Sequence, residues 1–322
     1  MSSLRIAIAS CAVVVALSAC RRQQPADEHM AHMSGGDLAP PAAAGMSTNQ
    51  GDPKLPPSNL EAPARLAASS RHAEWVKVAW EPGSKDSLMA YIVYPSTSSA
   101  KTPVVVVVHE IFGLSTWVRG VADQVAAEGF IAIAPDLESR VRGGPSTVEL
   151  SGDSARKLIA NVDAAERNRG IDAVARYAMS QPSAAQRYAV IGYCWGGGTT
   201  WMHVINGGLP GFAGGVAYYG LPYMDGAVPN RDSLAKIKTP IMLLSGARDA
   251  RIGAAMPSVD SAMKALGKSY VGINYPGAGH GFLRLQDDST THNPTWQEAD
   301  LAATKDAWPR TVAFLKSNLG LH

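Results

Sequence analysis

Five consecutive valines at residues 104–108, running into His109-Glu110, constrain this chain more than any other feature. A β-branched run without polar alternation calls for a strand buried on both faces, and so for a parallel sheet covered by helices on either side. The flanking residues agree. Residues 116–128 have helical spacing and stop at Gly129, and the apolar run 130–134 closes on Pro135-Asp136, completing a βαβ unit. Further strands are predicted over 188–192, 215–219, 240–244 and 270–275, with helices from Gly196, over 255–266 and over 297–319. Residues 155–180 read as helical with a break at Asn168-Arg169-Gly170, and 75–80 with 88–94 alternate around Glu81-Pro82-Gly83-Ser84 as an antiparallel hairpin. The expected class is α/β, a mainly parallel twisted sheet of about eight strands with helices on both faces.

Composition sets the function classes aside. At 322 residues and 46% apolar the chain can bury a sizeable core, and 29 basic against 27 acidic residues, with no basic run, argues against a nucleic-acid partner. The N-terminus carries Arg5 and an apolar run over 6–17, shorter than the roughly 20 residues a spanning helix needs, which reads as an export signal. Leu17-Ser18-Ala19-Cys20 resembles the lipobox of bacterial lipoproteins, with residues 1–19 removed and Cys20 lipidated. Arg21 after it matches the pattern sent to the outer membrane, so a periplasmic protein held to the membrane by lipid alone is expected. Residues 20–71, poor in aromatic and β-branched side chains, are expected as a disordered tether. Within it His29, Met30, His32 and Met33 would suit a soft metal such as copper; a plain tether is preferred.

Of Cys11, Cys20 and Cys194, only Cys194 remains in the body from residue 72 onward, so an internal disulfide there is excluded. Cys194 is either a small core residue or a reactive thiol. Its setting favours the second, because Gly192-Tyr193-Cys194-Trp195-Gly196 follows a strand and opens a helix, the context of a Gly-x-nucleophile-x-Gly turn. The helix N-terminus favours thiolate, and the Trp195 N–H can face an oxyanion. A base and an orienting acid follow in order: Asp249 after the strand 240–244 and His280 after the strand 270–275.

Three motifs, His109-Glu110-Ile111-Phe112-Gly113-Leu114, Gly192-Tyr193-Cys194-Trp195-Gly196-Gly197 and His280-Gly281-Phe282-Leu283-Arg284, resemble the dienelactone hydrolase family over roughly residues 75–319. The resemblance implies an α/β-hydrolase domain over 72–322, a Cys194-His280-Asp249 triad, and no metal or cofactor. It also implies Glu110 as a partner that holds the resting thiol back, backbone oxyanion donors at Ile111 and Trp195, Arg284 as a substrate-carboxylate clamp, and Phe112 in the pocket wall. Gly281 stands where the family has Ser, and Arg156 is the candidate for a second arginine of the family. Extra residues lie at 75–95 and 221–233. The expected activity is cleavage of a small carboxylate-bearing ester or lactone through an acyl-enzyme, by a monomer rather than an oligomer. The alternative within that class is a broad-specificity exported esterase. A non-catalytic binder would need no nucleophile, base and orienter together, and a redox thiol would lack a resolving cysteine.

Overall fold

The computed structural model describes residues 51–97, 101–146, 150, 152–289 and 291–321; the export signal, Cys20 and the His29 to Met33 donors lie outside them. Among the described residues the elements run α1 (Ala62–Ala68), β1 (Ala73–Ala79), β2 (Ser87–Val93), β3 (Thr102–Val108), α2 (Thr116–Ala127), β4 (Ile131–Asp136), α3 (Ser139–Arg142), α4 (Gly152–Ile159) and α5 (Ala164–Met179). They continue β5 (Ala184–Tyr193), α6 (Trp195–Asn206), β6 (Phe212–Tyr218), β7 (Met224–Asp225), β8 (Val228–Pro229), α7 (Arg231–Ala235), β9 (Ile241–Gly246), α8 (Ala250–Ala265), β10 (Tyr270–Tyr275), α9 (Phe282–Leu285) and α10 (Pro294–Leu319).

Eight strands form one sheet in the order β1-β2-β4-β3-β5-β6-β9-β10. β2 pairs antiparallel with both β1 and β4, and the remaining neighbours are parallel. The valine strand β3 lies in the middle with every residue buried, because helices cover both faces. The carboxyl ends of β3, β5, β6 and β9 therefore open on one edge of the sheet, where a site is expected in such folds.

Several boundaries differ from the sequence reading, most of them by three to five residues. The helical break falls between Ile159 and Ala164, with Asp163 capping α5 through Glu166 N, and α5 runs on through Asn168-Arg169-Gly170. Gly170 is a packing residue, since a Cβ there would lie 2.4 Å from Leu137 Cδ2. Helix α8 begins at Ala250, five residues earlier than expected, because Asp249 caps it.

The folded body also starts by Gly51, not at residue 72. Leu55, Ser58 and Ala62 are buried; Trp117 Nε1 donates to Pro57 O at 2.9 Å, Gln286 Nε2 to Pro56 O at 3.0 Å, and Asn59 N to Arg284 O at 2.9 Å. Arg71 closes this strap by pairing with buried Asp123, Nε to Oδ1 at 2.9 Å. Its Pro and Ala residues lack local structure-forming signals, and the partners that order it are distant in sequence.

Candidate active site

Cys194 sits between β5 and α6 in a left-handed conformation, φ 55 and ψ −114. An L-residue held there is strained, and the surrounding backbone enforces it: Cys194 N donates to Tyr218 O at 3.0 Å and Gly198 N to Cys194 O at 3.1 Å. The flanking glycines have a steric cause. A Cβ on Gly192 would lie 2.1 Å from Gly196 O, and one on Gly196 would lie 2.4 Å from Val108 O. Strand, helix and β3 can therefore approach only without those side chains. Cys194 is the residue that precedes α6, at the positive end of that helix. Among the described residues the amides of Ile111 and Trp195 donate to no protein acceptor.

Asp249 and His280 meet at the adjacent strand ends. His280 Nδ1 lies 2.6 Å from Asp249 Oδ2, while Asp249 Oδ1 accepts from Ile252 N at 3.1 Å. Burial raises the Asp249 carboxyl, but the His280 hydrogen bond and charge, with the Ile252 N–H, hold it below the usual range. Burial would also strip the proton from His280; the negative charge on Cys194 and the Asp249 hydrogen bond outweigh it and push the imidazole up to about 10. The charged imidazole is thus favoured where Asp249 and a charge on Cys194 both face it.

The His280 loop is held from behind by groups that sequence reasoning missed. Fully buried Asp300 accepts from Gly279 N at 2.8 Å and pairs with Arg248 at 3.2 Å and with His292 at 2.8 Å. These partners come from α10 and separate loops, and no local pattern marks them.

Glu110 and Arg284 form the second pair of the site, Arg284 Nε to Glu110 Oε1 at 2.8 Å, held by charge rather than by an aligned hydrogen bond. Both are 4% exposed. Burial pushes the Glu110 carboxyl up, against the pull of the Arg284 and His280 charges. The Arg284 guanidinium lies 5.3 Å from the centre of the Phe112 ring, which brings those two residues together. Tyr219, another residue the sequence reading passed over, also has positive φ, 38. Its ring is 4.9 Å from His280, and its buried hydroxyl has no hydrogen-bond partner. Burial, then the charges of Glu110 and Cys194, push its ionisation well up, so it stays a neutral donor. Arg156 is not brought to the site by any contact among the described residues: its Nη1 bonds Asp153 Oδ1 at 2.7 Å on its own helix α4. His109 and His203 are structural. His109 donates from Nδ1 to Glu110 O and accepts from Leu137 N, and His203 bonds Tyr188 and Asn168.

The chain matches the model of the dienelactone hydrolase family over residues 88–319. A Salmonella typhimurium protein assigned by name to the carboxymethylenebutenolidases is 30% identical over 238 residues, 72% of this chain and 84% of that protein. An Escherichia coli K12 protein of the same name is 30% identical over 240 residues, covering 73% and 84%. The crystal structure of a Klebsiella pneumoniae protein assigned as a dienelactone hydrolase is similar at a TM-score of 0.62 and 27% identity, over 76% of this chain and 98% of that one. A dienelactone hydrolase-like promiscuous phosphotriesterase from metagenomic libraries, 23% identical with a TM-score of 0.59 over 76% and 98% of the two chains, shares the fold. With the elbow at the carboxyl edge of a mixed eight-stranded sheet and a match that spans most of the folded body, the chain belongs to the dienelactone hydrolase family.

Proposed function

We propose that this carboxylic ester hydrolase opens an activated ester or lactone bearing a carboxylate, through a thioester on Cys194. The observation that carries the reading is the His280–Asp249 pair at 2.6 Å, whose protonation depends on the charge of Cys194. The sulfur attacks the carbonyl carbon, and the oxygen that gains charge is met by the N–H groups of Ile111 and Trp195. The leaving oxygen takes its proton from His280 as the thioester forms. Water then attacks the thioester while His280 accepts a proton, and the acid product and the thiol are released. Leaving groups such as enolates suit this route, because a thiolate is expelled more easily than a poor alkoxide.

Arg284 would take the substrate carboxylate, with Phe112 beside it. Binding there competes with Glu110 for the guanidinium. A Glu110 deprived of Arg284 is a buried carboxylate without its main counter-charge and becomes a better proton acceptor for the thiol. Substrate and activation are thereby coupled. That Arg156 stays on α4, paired with Asp153, favours a substrate other than dienelactone itself.

Export and lipidation at Cys20 complete the proposal, resting on Leu17-Ser18-Ala19-Cys20 and the apolar run before it. Metabolic labelling with palmitate should mark the wild-type chain and not Cys20→Ala. For the chemistry, turnover of dienelactone and of p-nitrophenyl acetate by the full chain should be lost with iodoacetamide and with Cys194→Ala. Activity of Cys194→Ala within about tenfold of wild type would sink the assignment.

A further inference from the structure

We propose that Arg251 forms a second anion subsite, separate from Arg284, so that the preferred esters carry two negatively charged groups. The inference rests on the hydrolase reading above. It begins with the position of Arg251 in the first turn of α8, two residues after Asp249 and one before Ile252, whose amide Asp249 caps. Helical spacing puts Arg251, Ala255 and Ser258 on one face. Ala255 is buried in a cluster with Leu221, and Ser258 Oγ lies 3.5 Å from Ala227 O. That face of α8 is therefore turned to residues 221–233 after β6, and Arg251 stands at its start, two residues past Asp249.

The charged neighbours of Arg251 are already committed, and Arg251 is not. Asp249 holds His280 and the Ile252 amide, and Arg284 is paired with Glu110. Arg248, three residues earlier, donates to Gly277 O and pairs with Asp300. Among the described residues Arg251 makes no hydrogen bond, ion pair or ring contact, although it is only partly exposed. Burial works against its charge, while the charges of Asp249 and Cys194 favour it. The guanidinium is thus close enough to the nucleophile to sense it, yet Asp249 is turned to His280.

A half-buried cation lacking a paired carboxylate is costly to hold in a protein, and a carboxylate or other oxyanion of the substrate would offset that cost with charge-assisted hydrogen bonds. The positive end of α8 adds to the same potential. Arg251 lies two residues past Asp249 and feels the charge of Cys194, so the anionic group it takes lies near the scissile carbonyl. Arg284 handles a different charge, one that must displace Glu110.

The test uses the full chain and three acetates of rising charge: phenyl acetate, 3-acetoxybenzoate and 5-acetoxyisophthalate, with none, one and two carboxylates. Wild type should prefer the dianion to the monoanion in kcat/KM. Arg251→Met should cut that ratio at least about tenfold, equivalent to about 1.4 kcal/mol, chiefly through KM. Arg251→Lys should restore most of it, with Tm measured for both variants to set aside misfolding. No dianion preference in wild type, or an equal loss on all three esters in Arg251→Met, would overturn the subsite. Those results leave the hydrolase reading standing provided phenyl acetate turnover still needs Cys194; turnover that survives Cys194→Ala would instead remove the reading on which the subsite rests.

Discussion

Two carboxylate pairs share the carboxyl edge of the sheet, and they are built differently. Asp249 receives both the His280 ring at 2.6 Å and the Ile252 amide at 3.1 Å, and its ionisation is held down. Glu110 faces Arg284 at 2.8 Å without an aligned hydrogen bond, and its ionisation is pushed up by burial. Both pairs are largely shielded from solvent, with the Asp249 side chain 9% and that of Glu110 5% exposed, so water explains neither. The number of donors does. A carboxylate with two aligned donors is fixed, whereas one held mainly by a single charge can be exchanged when a second carboxylate competes for that charge. The fixed pair keeps the base oriented, and the exchangeable pair can report that substrate has arrived.

Breaking the fixed pair should cost most. His280→Ala or Asp249→Asn is expected to lower kcat on phenyl acetate by about 10³-fold or more, read by steady-state kinetics. The pH profile sharpens this. The folded imidazole is raised above its ordinary 6.5 to about 10, so the charged form persists through neutral pH and is lost only as pH rises through about 10. The alkaline limb of kcat/KM should therefore sit near 10 in wild type and move down in Asp249→Asn.

Breaking the exchangeable pair comes next. Arg284→Met leaves Glu110 buried without its counter-charge and is expected to destabilise by about 2–5 kcal/mol, whereas the Glu110→Gln/Arg284→Met double variant should recover much of that loss. Chemical denaturation of wild type, Glu110→Gln, Arg284→Met and the double variant measures the coupling. A smaller effect is expected from Asn59→Pro, which takes away the one N–H donated to Arg284 O and leaves the rest of the segment 51–71 in place. One such bond is worth about 1 kcal/mol, so KM for 3-acetoxybenzoate should rise about fivefold while phenyl acetate changes less.

The smallest effect concerns a third buried carboxyl, Glu138, which has no aligned donor at all and lies 3.6 Å from Arg142. Burial and then Asp136 push it up to about 9, so the preference for the protonated form is fully met below 4.5 and costs stability as pH rises towards 9. Glu138→Gln should raise Tm at pH 8 by about 2–4 °C, for a gain of about 1 kcal/mol, and leave it unchanged at pH 4.

Much of this edge was legible in the sequence because backbone geometry dictates it. The valine run required a buried strand, and the glycines around Cys194 stand where backbones touch within distances that no Cβ tolerates. Asp249 and His280 were readable as polar residues just past apolar strands. What stayed hidden depends on distant partners. Gly170 looked like a helix break because only Leu137, on another element, explains it. The segment 51–71 looked like a tether because its order comes from Trp117, Gln286 and Asp123 rather than from itself. Asp300 and Tyr219 carried no motif, and their roles follow from burial and from which loops they meet.

The most direct test is to quench the full chain with acid during turnover of p-nitrophenyl acetate and map any added acyl mass by peptide mass spectrometry. An acetyl group on the peptide containing Cys194, absent after iodoacetamide treatment and in Cys194→Ala, is the expected result. An acyl group on another residue, with turnover undiminished in Cys194→Ala, would contradict the thioester route.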